Sequence, residues 1–288
     1  MKIEFFGVQT PLINPSDKNI TEIILKTLSD NDIQVQDEDI IIIASKILSI
    51  IEGGRIPLNS ISQIRNKAKI MAKVANLDPR FVEIVFREAD EVIGAVPGAI
   101  LALKNNVLQA NAGVDRSNAG GDEFLIILPR EPIQSANRIR KDIYSKTNKK
   151  VGVIIADSKT HPLRRGTSGF ALAISGFIPI IDDRGSSDLY GRKMVITTRA
   201  IADNIVCGAE ILMGESSQRI PIVIARGCKD ITFYDDFSDS KKNELMKICP
   251  KHCIYMGPLW YNRKTKIKYN YKGNYGNKRK IGRNYDWR

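Results

Sequence analysis

A mixed α/β fold is predicted by three features of this 288-residue sequence. Short continuous apolar runs, above all Ile40–Ile43 and Val151–Ala156, have the length and β-branched content of strands buried on both faces. Between them lie segments with apolar residues every three or four positions, the spacing of one helix face. The chain has no internal repeat, and 43% hydrophobic with 26% charged residues is the balance of an ordinary globular protein. That balance excludes a collagen-like fibre, a mostly disordered chain and a disulfide scaffold.

The elements follow in order. Asn19 with Glu22 three residues later resembles a capping box, and Ile20, Ile23, Ile24 and Leu28 continue at helical spacing. Asp39 then leads into the Ile40–Ile43 strand. Ser60 with Gln63 opens a second helix that carries Ile64, Ala68, Met71 and Ala72 on one face, and Asp78-Pro79 starts a third through Phe81, Val82 and Val85. Val107 to Ala110 and Phe124 to Leu128 read as brief strands. Residues 134–148 read as a basic, exposed helix that precedes the strand Val151–Ala156. Gly166, Gly169 and Gly176 punctuate a small-residue segment of strands and turns. Ile201, Ile205, Ala209 and Leu212 mark a long helix ended by Gly214, and Ile222–Ala225 is a late strand.

The net charge of +12 is unevenly placed. Residues 251–288 hold 11 Lys/Arg and one acidic residue, Asp286, so the first 250 residues are nearly neutral. We therefore expect a catalytic region over 1–250 and a basic, aromatic tail over 251–288, disordered and dispensable from about Tyr255 onward. Nucleic acid is a possible partner only through that tail. No apolar run reaches the ~20 residues needed to cross a bilayer, and the start is too soon polar for a signal peptide. With four cysteines and no export signal, the expectation is a cytoplasmic protein with reduced thiols and no membrane partner.

Three acidic positions stand at the ends of predicted elements, among small or turn residues. Asp115 lies in Asn111–Asn118 just after a short strand, Asp157 directly after Val151–Ala156 and before Ser158, and Glu215 in Met213-Gly214-Glu215. Carboxylates lifted into a crevice by rigid elements suit Mg²⁺ or Mn²⁺, which prefer oxygen ligands. Taken one at a time, each also reads as a turn or helix cap. Lys46, Arg164-Arg165, Arg192 and Arg226 are cations of the kind that neutralise phosphates, most of them beside glycine. His161 is a weak candidate base. Cys249, His252 and Cys253 do not complete a tetrahedral zinc site. Neither a P-loop nor a dinucleotide-binding glycine motif is present.

Taken in order, longer strings say more. Asp39–Ser45, Glu52-Gly53, Asn111–Asn118, Gly152–Gly176, Asp183–Arg192, Ala202-Asp203, Leu212–Glu215 and Pro221–Gly227 together resemble the coenzyme F420:L-glutamate ligase (gamma-glutamyl ligase) family in its archaeal stand-alone form, over roughly residues 1–250. The resemblance implies a two-lobed subunit, an interwoven homodimer, and a GTP-dependent amide ligase. Such an enzyme adds L-glutamate to the lactyl carboxylate of the coenzyme precursor, then a second glutamate through a gamma-linkage, by way of an acyl phosphate.

It also implies two divalent metals (Mg²⁺ or Mn²⁺) and potassium as activator. Asp115 and Asp157 resemble the ligands of one metal, Ser158 and Glu215 those of the other. Thr10, Pro11, Leu12, Ile13, Ser45, Lys46 and Asn118 resemble guanine-nucleotide contacts, as does the stretch Met213, Gly214, Ser216, Ser217, Gln218, Arg219 and Ile220. Arg164, Arg165 and Arg192 are candidate contacts to substrate phosphate or carboxylate. Ile50 stands where the family pattern has a lysine expected at the nucleotide phosphates, so either Lys46 covers the lost charge or nucleotide affinity is weaker. The competing reading is a metal-dependent phosphohydrolase or phosphotransferase using the same carboxylates. The ordered series of strings favours the ligase.

Overall fold

The computed structural model of the chain describes residues 2–236 and 239–258. They fall into two units, one ending at Lys247 and one beginning at Ile248. In the first unit the order is β1 (Glu4–Val8), α1 (Ile20–Asp30), β2 (Ile40–Ala44), α2 (Ser45–Ile51), β3 (Arg55–Pro57), α3 (Asn66–Ala75) and α4 (Pro79–Glu88). It continues with β4 (Glu91–Val96), β5 (Ala99–Lys104), β6 (Val107–Ala110), β7 (Phe124–Ile126), α5 (Pro132–Thr147), β8 (Gly152–Thr160) and β9 (Thr167–Ser175). Then come β10 (Ile180–Asp182), β11 (Thr198–Ala200), α6 (Ile201–Met213), β12 (Ile222–Arg226) and α7 (Ser240–Glu244).

The mixed α/β expectation holds. A five-stranded sheet in the order β1-β12-β2-β8-β9 organises the unit, with β2 and β8 parallel and the other neighbours antiparallel. Strand alternation splits its side chains between two cores. Ile41, Ile43, Val153, Ile155, Ile222 and Ile224 pack with Ile24 and Leu28 of α1 and Ile139 and Ile143 of α5. Ile40, Ile42, Ile154 and Val223 pack with Ala202, Val206 and Ala209 of α6 on the opposite face. Ile40 to Ile43 are all fully buried, as a continuous apolar run requires. Full burial of each such side chain contributes about 1.5–3 kcal/mol. A third core joins α3, α4, the β4-β5-β6 sheet and the residues Leu125 and Ile127.

Asn19 caps α1 as expected, its side chain accepting the Glu22 N–H at 3.3 Å. Other expectations change. The second helix opens at Asn66 rather than near Ser60, because Ser60 Oγ donates to Pro57 O in a short 3-10 turn. The Arg65 N–H then donates to Glu83 Oε2 at 3.0 Å, which ties the extended chain before α3 to α4. Helix α5 is not exposed throughout: Ala136, Ile139 and Ile143 are buried, and so is one of its basic residues, Arg140. Strand β8 also runs past Ala156 to Thr160, so Asp157 and Ser158 sit inside a strand, opposite Phe170 and Gly169.

In the second unit, the described residues form a 3-10 turn over Pro250–His252, and the Gly257 N–H donates to Cys253 O at 2.7 Å. The expectation of a disordered tail with a basic, aromatic arm concerns mainly 259–288, outside the described residues. All four cysteines are free thiols. No helix among the described residues is long and apolar enough to cross a membrane.

Candidate active site

Strand β2 passes directly into α2, which places Ser45 and Lys46 at the end of the central sheet strand. Asp115 follows a 3-10 turn over Asn111–Gly113 and is bridged to Ile126 by backbone hydrogen bonds of 2.9 Å in both directions. Strand β8, the parallel neighbour of β2, carries Asp157 and Ser158. Helix α6 stops at Gly214, whose φ of +63° favours a residue without Cβ, and the chain turns there into Glu215.

These positions converge on Lys46. Its Nζ donates to Asp115 Oδ2 at 2.6 Å and to Ser117 Oγ at 2.8 Å. Burial pushes the Asp115 carboxyl up, but the Lys46 charge and hydrogen bonds from Lys46 and Ser117 outweigh it and hold it below the usual range. Burial raises Asp157 to about 6, against the Ser158 N–H at 2.9 Å, the Lys46 charge and a hydrogen bond from Ser45. Glu215 is also pushed up by burial. Hydrogen bonds from Thr167, Ser158 and Glu210, together with the Lys46 charge, bring it below its ordinary value. Thr167 Oγ1 lies 2.6 Å from Glu215 Oε1. Glu210 is raised to about 7 by burial and by the neighbouring Glu215 and Asp157.

Asp115, the adjacent Asp157 and Ser158, and Glu215 come from three separate stretches of sequence and therefore share one electrostatic environment. Among the described residues, no three carboxylate, imidazole or thiol groups are already gathered about one point. The donor chemistry nevertheless fits a hard cation: carboxylates and hydroxyls supply only oxygen, and crowding among the carboxylates favours added positive charge.

The strings assigned to nucleotide also meet. The Thr10 N–H donates to Arg219 O at 2.9 Å, Gln9 Nε2 to Gln218 O at 3.3 Å, and Asn118 Nδ2 to Ser216 O at 3.1 Å. The Ala44 N–H donates to Pro221 O at 2.9 Å, which sets Ser45 and Lys46 beside the end of the same stretch. Ser216 N and Oγ both contact Gln218 Oε1, so Met213–Ile220 is a folded turn. Leu12 is exposed at the edge of this region.

Among the described residues, no ion pair joins Arg164, Arg165 or Arg192 to Asp115, Asp157 or Glu215. Arg164 and Arg165 are exposed on the turn between β8 and β9, and Arg192 is exposed between β10 and β11. Ile50 is buried against Ala119, Ile126 and Phe124, so this position serves apolar packing. Sequence reasoning missed Ser117, Thr167 and Glu210. A signal for Glu210 existed: a second carboxylate in the last turn of α6, where the negative helix end disfavours it.

The fold and site together define an α/β protein with oxygen donors and clustered carboxylates beside a folded loop assembly at the end of its central sheet. The description "F420-0:Gamma-glutamyl ligase" belongs to the family whose sequence profile matches residues 7–227. Similar proteins include the coenzyme F420:L-glutamate ligase of Methanocaldococcus jannaschii, 38% identical over 229 residues, which span 78% of this chain and 88% of that one. The ligase of the same name from Archaeoglobus fulgidus is 32% identical over 257 residues, 88% of this chain and all of that one. One from Methanococcus maripaludis is 34% identical over 249 residues, 86% of this chain and 95% of that one. The chain belongs to the F420-0:gamma-glutamyl ligase family, and is thus a ligase.

Proposed function

We propose that the chain joins L-glutamate to the lactyl carboxylate of the coenzyme F420 precursor in a GTP-dependent reaction, and then adds a second, gamma-linked glutamate. The observation that carries this reading is the convergence of Asp115, Asp157 and Glu215 on Lys46, beside the joined strings around Thr10, Asn118 and Ser216. The relatives' names supply the substrates.

A carboxylate does not condense with an amine at a useful rate, because oxide is the leaving group. In the proposed reaction a precursor carboxylate oxygen attacks the gamma-phosphorus of GTP, the bond to GDP breaks, and an acyl phosphate forms. The glutamate amine then attacks the acyl carbon, loses a proton and displaces phosphate, giving the amide. Both steps concentrate negative charge on oxygens. Ser45, Lys46, Asn118 and the loops Thr10–Ile13 and Met213–Ile220 hold the nucleotide. Asp115 and Asp157 would hold one Mg²⁺ or Mn²⁺, and Ser158 and Glu215 a second, with potassium as activator. Bound metal would supply charge neutralisation of the triphosphate.

The three arginines fit a homodimer. Their loops also expose Leu163, Leu189, Tyr190, Val195 and Ile196, apolar groups that a second copy would cover. Arg164, Arg165 and Arg192 would then contact substrate anions at the subunit boundary. The test is incubation of the full chain with precursor, L-glutamate, Mn²⁺ and either GTP or ATP, followed by mass spectrometry. Products heavier by one and then two glutamyl residues, with GDP released, are expected. GTP hydrolysis without glutamate addition would instead favour a phosphohydrolase. Light scattering on the same preparation measures the dimer.

A further inference from the structure

We propose that Lys46 is the resting protein's own counter-ion: its ammonium holds the place on Asp115 that a divalent cation takes, and cation loading expels it. The inference rests on the metal assignment of the ligase reading and adds to it a competition within the chain.

The bonding capacity of Asp115 sets that competition. A carboxylate has two oxygens and about four lone-pair directions. Oδ1 accepts the backbone N–H groups of Arg116 at 2.6 Å and Ser117 at 2.9 Å. Oδ2 accepts Lys46 Nζ at 2.6 Å and Ser117 Oγ at 2.7 Å. Asp115 is therefore saturated by the chain itself, and a metal ion can coordinate it only by displacing a donor. The two amides are fixed by the turn. Of the two side-chain donors on Oδ2, the Ser117 hydroxyl is neutral. The Lys46 ammonium carries the charge a metal ion would repel and stands on a flexible four-carbon stem, so it is the donor that leaves.

Electrostatics points the same way. Lys46 is the cation felt by Asp115, Asp157 and Glu215 together. One ammonium among these carboxylates offsets their mutual repulsion, which is the service a divalent ion performs more strongly. Two cations on Asp115 Oδ2 at such short range repel each other, which favours the divalent ion alone. Lys46 retains 27% side-chain exposure and has solvent to move into. The released ammonium is then free for an incoming phosphate group, so metal and nucleotide should bind with positive coupling.

The experiment measures Mn²⁺ binding to the full chain by calorimetry without nucleotide, comparing wild type with Lys46→Met, Asp115→Asn and Asp157→Asn. Lys46→Met should bind Mn²⁺ about tenfold or more tightly, because the competing charge is gone. It should also melt lower than wild type in chelator and gain more from added Mn²⁺. On wild type, acylation of lysine amines read by mass spectrometry should show Lys46 labelled several times faster once Mn²⁺ is present. This arm decides the matter if Lys46→Met does not fold. Unchanged or weaker Mn²⁺ affinity in a folded Lys46→Met, while Asp115→Asn loses binding, overturns this inference alone. Mn²⁺ binding indifferent to both aspartate substitutions overturns the metal assignment, and this inference with it.

Discussion

Buried or half-buried carboxylates occur in two kinds of place in this molecule, and they are treated in opposite ways. At the start of the inner strand β2, fully buried Asp39 accepts Arg226 Nε at 2.7 Å and Nη2 at 2.8 Å, plus the Gln36 N–H at 2.8 Å. Between α3 and α4, buried Glu83 takes Arg65 Nε at 2.9 Å and Arg87 Nε at 3.0 Å. Each of these carboxylates has at least one arginine to itself. In the candidate site, Asp115, Asp157 and Glu215 all feel a single lysine, Lys46, with Glu210 beside Glu215, and burial drives Asp157 and Glu210 upward. Matched charges close a fold. Unmatched charges are kept where something else is to be bound.

The largest expected effect lies on the unmatched side. Asp157→Asn should lower glutamate addition by about 10²–10³-fold, the scale of losing a charge-stabilising group, with the fold intact. The sign of its stability effect separates the two classes. Asp157 has a raised folded-state pKa of about 6, so its contribution is present at low pH and is lost as pH rises through that value. In chelator, wild type should therefore lose stability relative to Asp157→Asn between about pH 4 and 7, as read by urea unfolding.

On the matched side, Asp39→Ala should cost about 3–5 kcal/mol, because it strands the Arg226 guanidinium against the sheet. Urea unfolding measures the loss, and glutamate addition per folded molecule should stay near wild type. Glu83→Gln should cost about 2 kcal/mol near neutral pH. Burial raises Glu83, but hydrogen bonds from Arg65 and Arg87 outweigh it, so its folded-state pKa is lowered. Its contribution is full above the unfolded value and fades as pH falls through the folded one. The gap between variant and wild type should close in acid, the reverse of Asp157. A gap that widens in acid would break the comparison. The smallest effect is Asn118→Ala, which removes one exposed bond to Ser216 O and should weaken GTP binding about fivefold.

The parts of the fold legible in sequence were those where burial alone decides. Ile40–Ile43 needs no partner to read as a strand closed on both faces, and Asn19 carries its helix start in its own side chain. Helix α2 was not legible, since Ser45–Ile51 is rich in β-branched residues and only its packing makes it helical. Strand β4 was hidden for the opposite reason: its residues are half-exposed and interrupted by Gly94. In the site, Asp115, Asp157 and Glu215 stood out because turn residues flank them. Glu210 and Thr167 did not, because their roles exist only once α6 and β9 lie side by side. The arginines were chosen by their glycine neighbours, a cue that marks exposed turns as readily as ligand sites.

One irregularity in the sheet marks a place where this chain can lose a residue and keep its strand register. Ile155 pairs with Ala173, but the next residue, Ala156, pairs with Ala171, leaving Leu172 as an extra residue in β9. A bulge of this kind shifts the alternation of side chains by one place. Beyond it, Ala171 faces α6 like Ile174 three positions away, and Thr167 is phased to meet Glu215. Leu172 thus acts as a frameshift written into the strand. Excising that one apolar residue would close the bulge, set Ala171 directly beside Ala173 in the chain and still opposite Ala156, and so leave Thr167 facing Glu215 and every residue from Thr167 to Ala171 on its present face.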